Sequence, residues 1–223
     1  MTRQASATAG STDAAARDAG RGHSTATLWE ASSSAALACD PALLGLWPGA
    51  RVAGAAFTVQ GIGGDNLALH RAVAAAPAGS VLVADLQGAA YGHWGEILAV
   101  AARQRGILGL VIDAGVRDVT EMAALGFPVF ARLITMIGTG KEHPGRLGVP
   151  VRVGGAVVRP GDLVIGDADG VVVIPAPAVA TTLDQADARV AAEERALAAI
   201  RAGTTTLDYY GLPSSGETPA RNR

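Results

Sequence analysis

The segment GEILAVAARQRGILGLVIDAGVRDVTEMAALGFPVFA, residues 95–131, decides how this chain is built. Its opening, GEILAVAARQRG, spaces apolar residues as a helix does and stops on Gly106. ILGLVID follows as an apolar run of strand length, VTEMAALG reads as a second helix, and PVFARLI (128–134) as a further strand. Strands that alternate with helices in this way imply parallel neighbours joined by right-handed crossovers.

Upstream, VAGAAFTVQ (52–60) alternates loosely like a strand and runs through GIGGDN into LALHRAVAAA, a helix with Asp65 as its expected cap. SVLVADLQG (80–88) is the next strand. Downstream of 149 the pattern changes to short strands divided by GG, RPGD and DADG, the pattern of antiparallel hairpins. A single long helix then runs between Pro175 and Gly203. Near the start, TATLWEA (25–31) reads as a short helix, while residues 1–24 are small and polar and read as a flexible tail. Residues 206–223 read as a C-terminal tail, so the folded unit is expected over 25–205. The expected class is mixed α/β (α+β).

Composition narrows the chemistry. The 223 residues are 49% hydrophobic but only 4% aromatic, with 29 glycines, so the core must be Ala, Val, Leu and Ile packed closely between backbones. A chain of this size buries roughly 70% of its unfolded surface. A net charge of −2 and a pI near 6.1 give no reason to expect nucleic acid or an anionic membrane as partner. Cys39 is the single cysteine, which excludes disulfide frameworks within the chain and cysteine-based zinc sites; it reads as a small buried apolar group. The four histidines show no HExxH spacing, and His70 and His93 read first as hydrogen-bonded structural residues. Without a membrane-length apolar run or a charged-then-apolar leader, the expectation is a soluble, cytoplasmic protein.

Two glycine motifs fail on inspection. In GIGGDN the third glycine of a dinucleotide fingerprint would fall at Asn66, and TGKEHPG lacks the Ser or Thr that a P-loop places after its lysine, here Lys141.

The charges after the central strand are more telling. About 10 helical residues run ~15 Å down and about 6 strand residues return ~20 Å, so the chain comes back to the edge it left. Glu96 at the helix start and Arg117 with Asp118 past the strand therefore meet at the carboxyl edge of the sheet, where open α/β folds place ligands. Glu96 and Asp118 are hard oxygen donors suited to magnesium or manganese. Arg117 is a fixed cationic fork, and the backbone amides of Gly95, Glu96, Ile97 and Leu98 are ready anion donors. Such a set suits a small oxyacid held on a metal. The same residues also fit ordinary helix-dipole complementarity with a surface ion pair worth under ~1 kcal/mol, and spacing alone leaves both readings open.

The segment also resembles the signature of the RraA-like family, an acid-x20-Arg-Asp-x2-acid pattern matched by Glu96, Arg117, Asp118 and Glu121. TATLWEA, GDNLALHRA and GDLVIGDADGVVVIP extend the likeness over roughly residues 25–205. The resemblance implies a three-layer β/β/α sandwich of the RraA-like, swivelling-domain type with a long C-terminal helix, assembled as a homotrimer or a dimer of trimers. It implies a class II aldolase, a carbon–carbon lyase cleaving 4-hydroxy-4-methyl-2-oxoglutarate or a related 4-hydroxy-2-oxo acid to pyruvate and decarboxylating oxaloacetate. On this likeness Asp118 binds Mg2+, Mn2+ or another divalent cation directly and Glu96 reaches it through water, where the family often has Asp. Arg117 holds the keto or enolate oxygen, and Gly95, Glu96, Ile97 and Leu98 grip the pyruvate carboxylate. Glu193 or Glu194 from a neighbouring subunit completes the outer metal shell, and Glu30 and His70 fall near the pocket, in proton relay. Some relatives are instead non-catalytic, protein-binding regulators of an RNA-degrading enzyme, which is the alternative reading. An older label for such sequences, methyltransferase, finds no nucleoside-binding glycine loop paired with a ribose carboxylate here.

Overall fold

Alternation at every second residue divides the strands between two cores. In β4 (Ser80–Trp94) and β5 (Gly109–Val116), Leu82, Ala84, Leu86, Leu110 and Ile112 point to one face, and Val81, Val83 and Val111 to the other. Both faces are apolar because both are covered, as parallel strands require. The structure, a computed structural model, describes residues 20 and 22–213.

β3 (Val52–Gln60), β4, β5 and β6 (Val129–Ile134) pair in parallel. β10 (Leu163–Asp167) joins β3 antiparallel, β11 (Gly170–Ile174) follows it, and β1 (Leu37–Ala38) and β2 (Leu44–Gly45) close the two ends. β7 (Arg146–Leu147) adds to β3, making nine strands. The parallel centre and antiparallel flank follow the expected order, and the bounds move by a few residues.

On one face lie three crossover helices, α2 (Leu67–Ala75), α3 (Glu96–Gln104) and α4 (Val119–Leu125), which bury Leu69, Leu98 and Met122 against Trp94 and Ile112. Fully burying a side chain of this size is worth roughly 1.5–3 kcal/mol. The same face continues over β10 and β11, where Leu28 of α1 (Thr25–Ala31) and Ala186 of α5 (Val179–Arg201) meet Ile165 and Val172. The opposite face is covered by a hairpin, β8 (Val151–Val153) with β9 (Ala156–Val158), whose Val151, Val153 and Val158 pack on Val83, Val111 and Phe130. The three layers are helices, large sheet and small sheet.

One polar tie holds the hairpin down. Asp113 on β5 accepts from Arg132 Nε of β6 at 2.5 Å and from the Gly154 amide in the hairpin turn at 2.8 Å. Arg132 also donates to Asp40 at 3.1 Å, and the two carboxylates raise its pKa above the ordinary arginine value. Beside them the Cys39 thiol is buried, with its pKa pushed up to about 12 first by burial and then by Asp113 and Asp40, so it is inert.

Four differences from the sequence reading carry reasons. β4 continues six residues past Gly88, because Gln87 (φ 61°) and Gly88 (φ 68°) form a bulge that breaks the period-2 pattern without ending the strand. The N-cap of α2 is Asn66 and not Asp65, whose carboxylate instead binds the amides of Leu67 and Glu142. Within the stretch expected as an N-terminal tail, His23 is buried and pairs with Asp187 of α5 at 3.1 Å; residues 1–19 and 21 lie outside the described residues. In the stretch expected as a C-terminal tail, a short helix α6 (Thr206–Tyr210) is capped by Thr205, and residues 214–223 lie outside the described residues. Among the described residues, no helix is long and apolar enough to cross a membrane.

Candidate active site at the carboxyl edge

Because β4 runs on to Trp94 and pairs there with Val116, the two strands end side by side. Arg117 N–H then donates to Trp94 carbonyl at 2.8 Å, and the next residues on each chain segment are Gly95 and Asp118. Asp118 caps α4 in the left-handed region (φ 54°, ψ 44°), which Asp tolerates better than most residues and which turns its carboxylate back toward α3. There Asp118 Oδ2 accepts from the Glu96 amide at 3.1 Å and lies 3.6 Å from Arg117 Nε. Among the described residues Asp118 Oδ1 has no hydrogen-bond partner.

Two glycines permit this approach. A Cβ on Gly95 would collide with Asp118 Oδ2 and stand 3.1 Å from Arg117 Cγ. A Cβ on Gly92 would stand 2.8 Å from the Thr135 carbonyl and 3.1 Å from Arg117 Cδ. Neither residue type nor conformation but space demands glycine here.

The first intrahelical bond of α3 runs from Ala99 N to Gly95 O, so the amides of Ile97 and Leu98 have no partner within the helix. They open on a cleft lined by Gly95, Ile97, Leu98, Arg117 and Asp118, together with Asn66, His70, Gly92, His93 and Lys141. Cations outnumber carboxylates around it, and amide dipoles add to the same sign. The cleft is built to receive an anion.

The histidines divide. His93 is fully buried; its Nε2 accepts from Gly64 N–H at 3.0 Å, which leaves the proton on Nδ1 to donate to the Gly115 carbonyl at 3.3 Å. Burial pushes its pKa below the ordinary value, against the hydrogen bonds to Gly115 and Tyr91 that favour the charged form. With both nitrogens engaged it is a strut. His70 lines the cleft, and burial first, then the charge of Lys141, hold its pKa below the ordinary value, which favours the neutral ring.

Gly95, Glu96, Ile97, Leu98, Arg117 and Asp118 are thus brought to one place, Glu96 through its backbone; its side chain is exposed. Glu121 lies exposed in the first turn of α4. Glu193 and Glu30 are elsewhere in the same chain, both paired with Arg189, Glu193 at 2.8 Å. Glu194 is exposed on α5. Asn66, Gly92 and Lys141 were not singled out as cleft residues from sequence; Lys141, the sole lysine and set among glycines, carried the one readable signal.

A doubly covered sheet with a cleft where two parallel strands end defines a three-layer α/β class of fold, and that strand edge is where open α/β sheets gather their loop residues. More particularly, the chain belongs to the RraA-like family, whose model, described as Aldolase/RraA, matches residues 25–173. It is 41% identical over 161 residues to a Halalkalibacterium halodurans protein named "Putative 4-hydroxy-4-methyl-2-oxoglutarate aldolase", covering 72% of this chain and 77% of that one. A crystal structure of an uncharacterized protein from Pseudomonas syringae pv. tomato superposes with a TM-score of 0.78 at 31% identity, over 86% of this chain and 90% of that one. The RNA-processing inhibitor RraA from Thermus thermophilus superposes with a TM-score of 0.62 at 28% identity, over 68% and 92%.

Proposed function

We propose that this protein is a pyruvate-releasing carbon–carbon lyase that cleaves 4-hydroxy-4-methyl-2-oxoglutarate or a related 4-hydroxy-2-oxo acid and also decarboxylates oxaloacetate. The observation that carries the reading is the meeting of Arg117, Asp118 and the unpaired amides of α3 in one cleft. The name of the Halalkalibacterium relative supports it.

Both reactions break a bond to C3 of a 2-oxo acid and leave its electron pair as a pyruvate enolate, which is then protonated at C3. The step is fast only where that developing charge is stabilised. The amides of Ile97 and Leu98 bind the C1 carboxylate and fix the ketone beside Arg117. The Arg117 guanidinium then donates to the oxygen that becomes negative. In the aldol case the C4 hydroxyl must lose its proton; His70, which lines the cleft and whose burial favours the neutral ring, is the group proposed to relay it.

A divalent cation fits the donor set. Asp118 is a part-exposed hard oxygen donor with Oδ1 unengaged, and magnesium takes one or two carboxylates and keeps several waters. Asp118 would hold it, with Glu96 reaching through water; among the described residues no group of three or more His, Cys, Asp or Glu is gathered, so the remaining positions fall to water and substrate. When bound, the ion supplies Lewis-acid stabilisation of the same oxygen. Glu193 or Glu194 of a second subunit is proposed to complete its outer shell in a homotrimer or a dimer of trimers, and the cytoplasm is the proposed compartment.

The test is pyruvate release from oxaloacetate with magnesium. It should stop with chelator and return with metal; full activity in metal-free protein would overturn the metal-dependent reading. Arg117→Lys should bind metal as before and lose about 10²–10³ in kcat, because a point charge cannot replace the fork. A regulatory role in RNA processing is the second reading, favoured by the likeness to the Thermus inhibitor. Absence of any pyruvate release, together with capture of an RNA-degrading enzyme, would favour it.

A further inference from the structure

His93 joins three segments at the cleft, and one of its bonds exists only while its ring is neutral. The Gly64 amide donates to Nε2 at 3.0 Å, so Nε2 must offer its lone pair, and the ring proton sits on Nδ1, where it meets the Gly115 carbonyl at 3.3 Å. A third bond runs from Asn66 Nδ2 to the His93 carbonyl at 3.0 Å. The ring is fully buried, and Tyr91 lies edge-on to it with centroids 5.9 Å apart. Gly64, in the left-handed region (φ 78°), seats against the same Tyr91 ring, which would lie 3.5 Å from a Cβ there.

What hangs on the Gly64 bond is a wall of the cleft. Gly140 N–H donates to the Gly64 carbonyl at 2.8 Å, and Asn66 N–H donates to the Gly140 carbonyl at 3.0 Å. Two residues further on, Glu142 N–H donates to Asp65 Oδ2 at 2.6 Å. The segments 64–66 and 140–142 are therefore clamped into one piece, and His93 ties that piece to β4 and, through Gly115, to β5. Asn66 and Lys141 on it line the cleft together with Arg117 and Asp118.

A protonated imidazole carries N–H on both nitrogens and has no lone pair to give Gly64. Charging the ring turns the acceptor into a donor aimed at another donor. The ionisable groups about it are Asp65 on the loop, His70 on α2, Arg117 and Asp118 past β5, and Lys141. Burial opposes the charged ring and outweighs the hydrogen bonds to Gly115 and Tyr91 and the charge of Asp65, so the latched form is the one held near neutral pH.

We propose that His93 is a proton-operated latch: neutral, it holds the Gly64 and Lys141 loops onto the cleft; protonated, it releases them, and the cleft binds its anion less well. This is regulation of the cleft already described, and its ligand arm rests on the 2-oxo acid reading. A ligand that binds the latched form must in turn resist protonation of His93. His70 works in the opposite sense, because its protonation adds a cation to the cleft and would tighten an anion.

The test follows backbone hydrogen exchange in segments 61–66 and 138–142 of the full chain at pH 7.5 and 5.0, corrected for the intrinsic pH dependence of exchange, beside the calorimetric affinity for pyruvate. In the wild type both segments should lose protection about five-fold at pH 5.0 while residues 109–116 keep theirs, and pyruvate affinity should fall by a similar factor, as it scales with the latched fraction. His93→Gln presents an amide oxygen to Gly64 and an amide N–H to Gly115 but does not titrate, so both readings should be flat between the two pH values. Equal protection at both pH values in the wild type overturns the latch, as does the same loss in His93→Gln or a pyruvate affinity that rises in acid. Where the variant does not fold, the wild type decides alone: the His93 ring resonance and the loss of protection must share one midpoint, and separate midpoints overturn the proposal. A chain whose loops loosen as described but that binds no pyruvate at either pH keeps the latch and refutes the 2-oxo acid reading.

Discussion

The Glu96 backbone N–H donates to Asp118 Oδ2 across 3.1 Å, which ties the first residue of α3 to the cap of α4. Two segments that the sequence separates by a whole crossover thereby act as one rigid corner, and the corner holds the side chains on which the proposed chemistry depends.

Gly95 is the space in that corner. Gly95→Ala places a methyl against Asp118 Oδ2 and Arg117 Cγ, so it should displace both groups by a fraction of an ångström to an ångström. We expect pyruvate release from oxaloacetate to fall about 10²-fold, as misplacement of that size does elsewhere, with an unchanged circular dichroism spectrum. Wild-type kcat/KM in the variant would show that the corner has slack.

Acid should loosen the support beneath the cleft. His93 has a folded pKa below its ordinary value because burial favours the neutral ring. As pH falls below about 6.5 the unfolded chain takes up this proton first, so the contribution is whole above that pH and declines toward the folded pKa. The urea midpoint should be lower at pH 5 than at pH 7.5, and His93→Gln should flatten part of that slope. An identical slope in the variant would assign the acid sensitivity to other groups.

Arg132→Met leaves Asp113 half-buried without its cation and frees one anchor of the hairpin. The expected cost is about 2–3 kcal/mol, below the ~3–5 kcal/mol of a fully buried pair because Arg132 is part-exposed. Thermal melting should drop by about 5–10 °C. A melting point within one degree of wild type would mean that the apolar contacts of Val151, Val153 and Val158 alone hold the hairpin.

Completion of the site between subunits is testable by mixing. Asp118→Asn and Glu193→Gln chains, each inactive, should recover part of the activity when refolded together, since some interfaces pair an intact Asp118 with an intact Glu193. Recovery with Glu194→Gln in place of Glu193→Gln transfers the role to Glu194. No recovery in either mixture, with mixed oligomers present, would end the shared-site idea.

The amino-acid sequence by itself determined the alternation of the central strands and helices and the meeting of Glu96 with Arg117 and Asp118. Periodicity reports which face of a helix or strand is buried, and a helix down with a strand back must return to the edge it left. It did not reveal that β4 continues through a bulge, because Gln87 and Gly88 hide the alternation that resumes beyond them. Nor could it show that Glu96 meets Asp118 through its amide, that both His93 nitrogens are occupied, or that Asp65 carries Lys141 to the cleft. These contacts join residues 22, 29, 22 and 77 positions apart, and only the packed chain brings such partners within hydrogen-bond reach. Local pattern encodes which elements form; the direction of a carboxylate or the company of a lysine depends on every layer that packs around it.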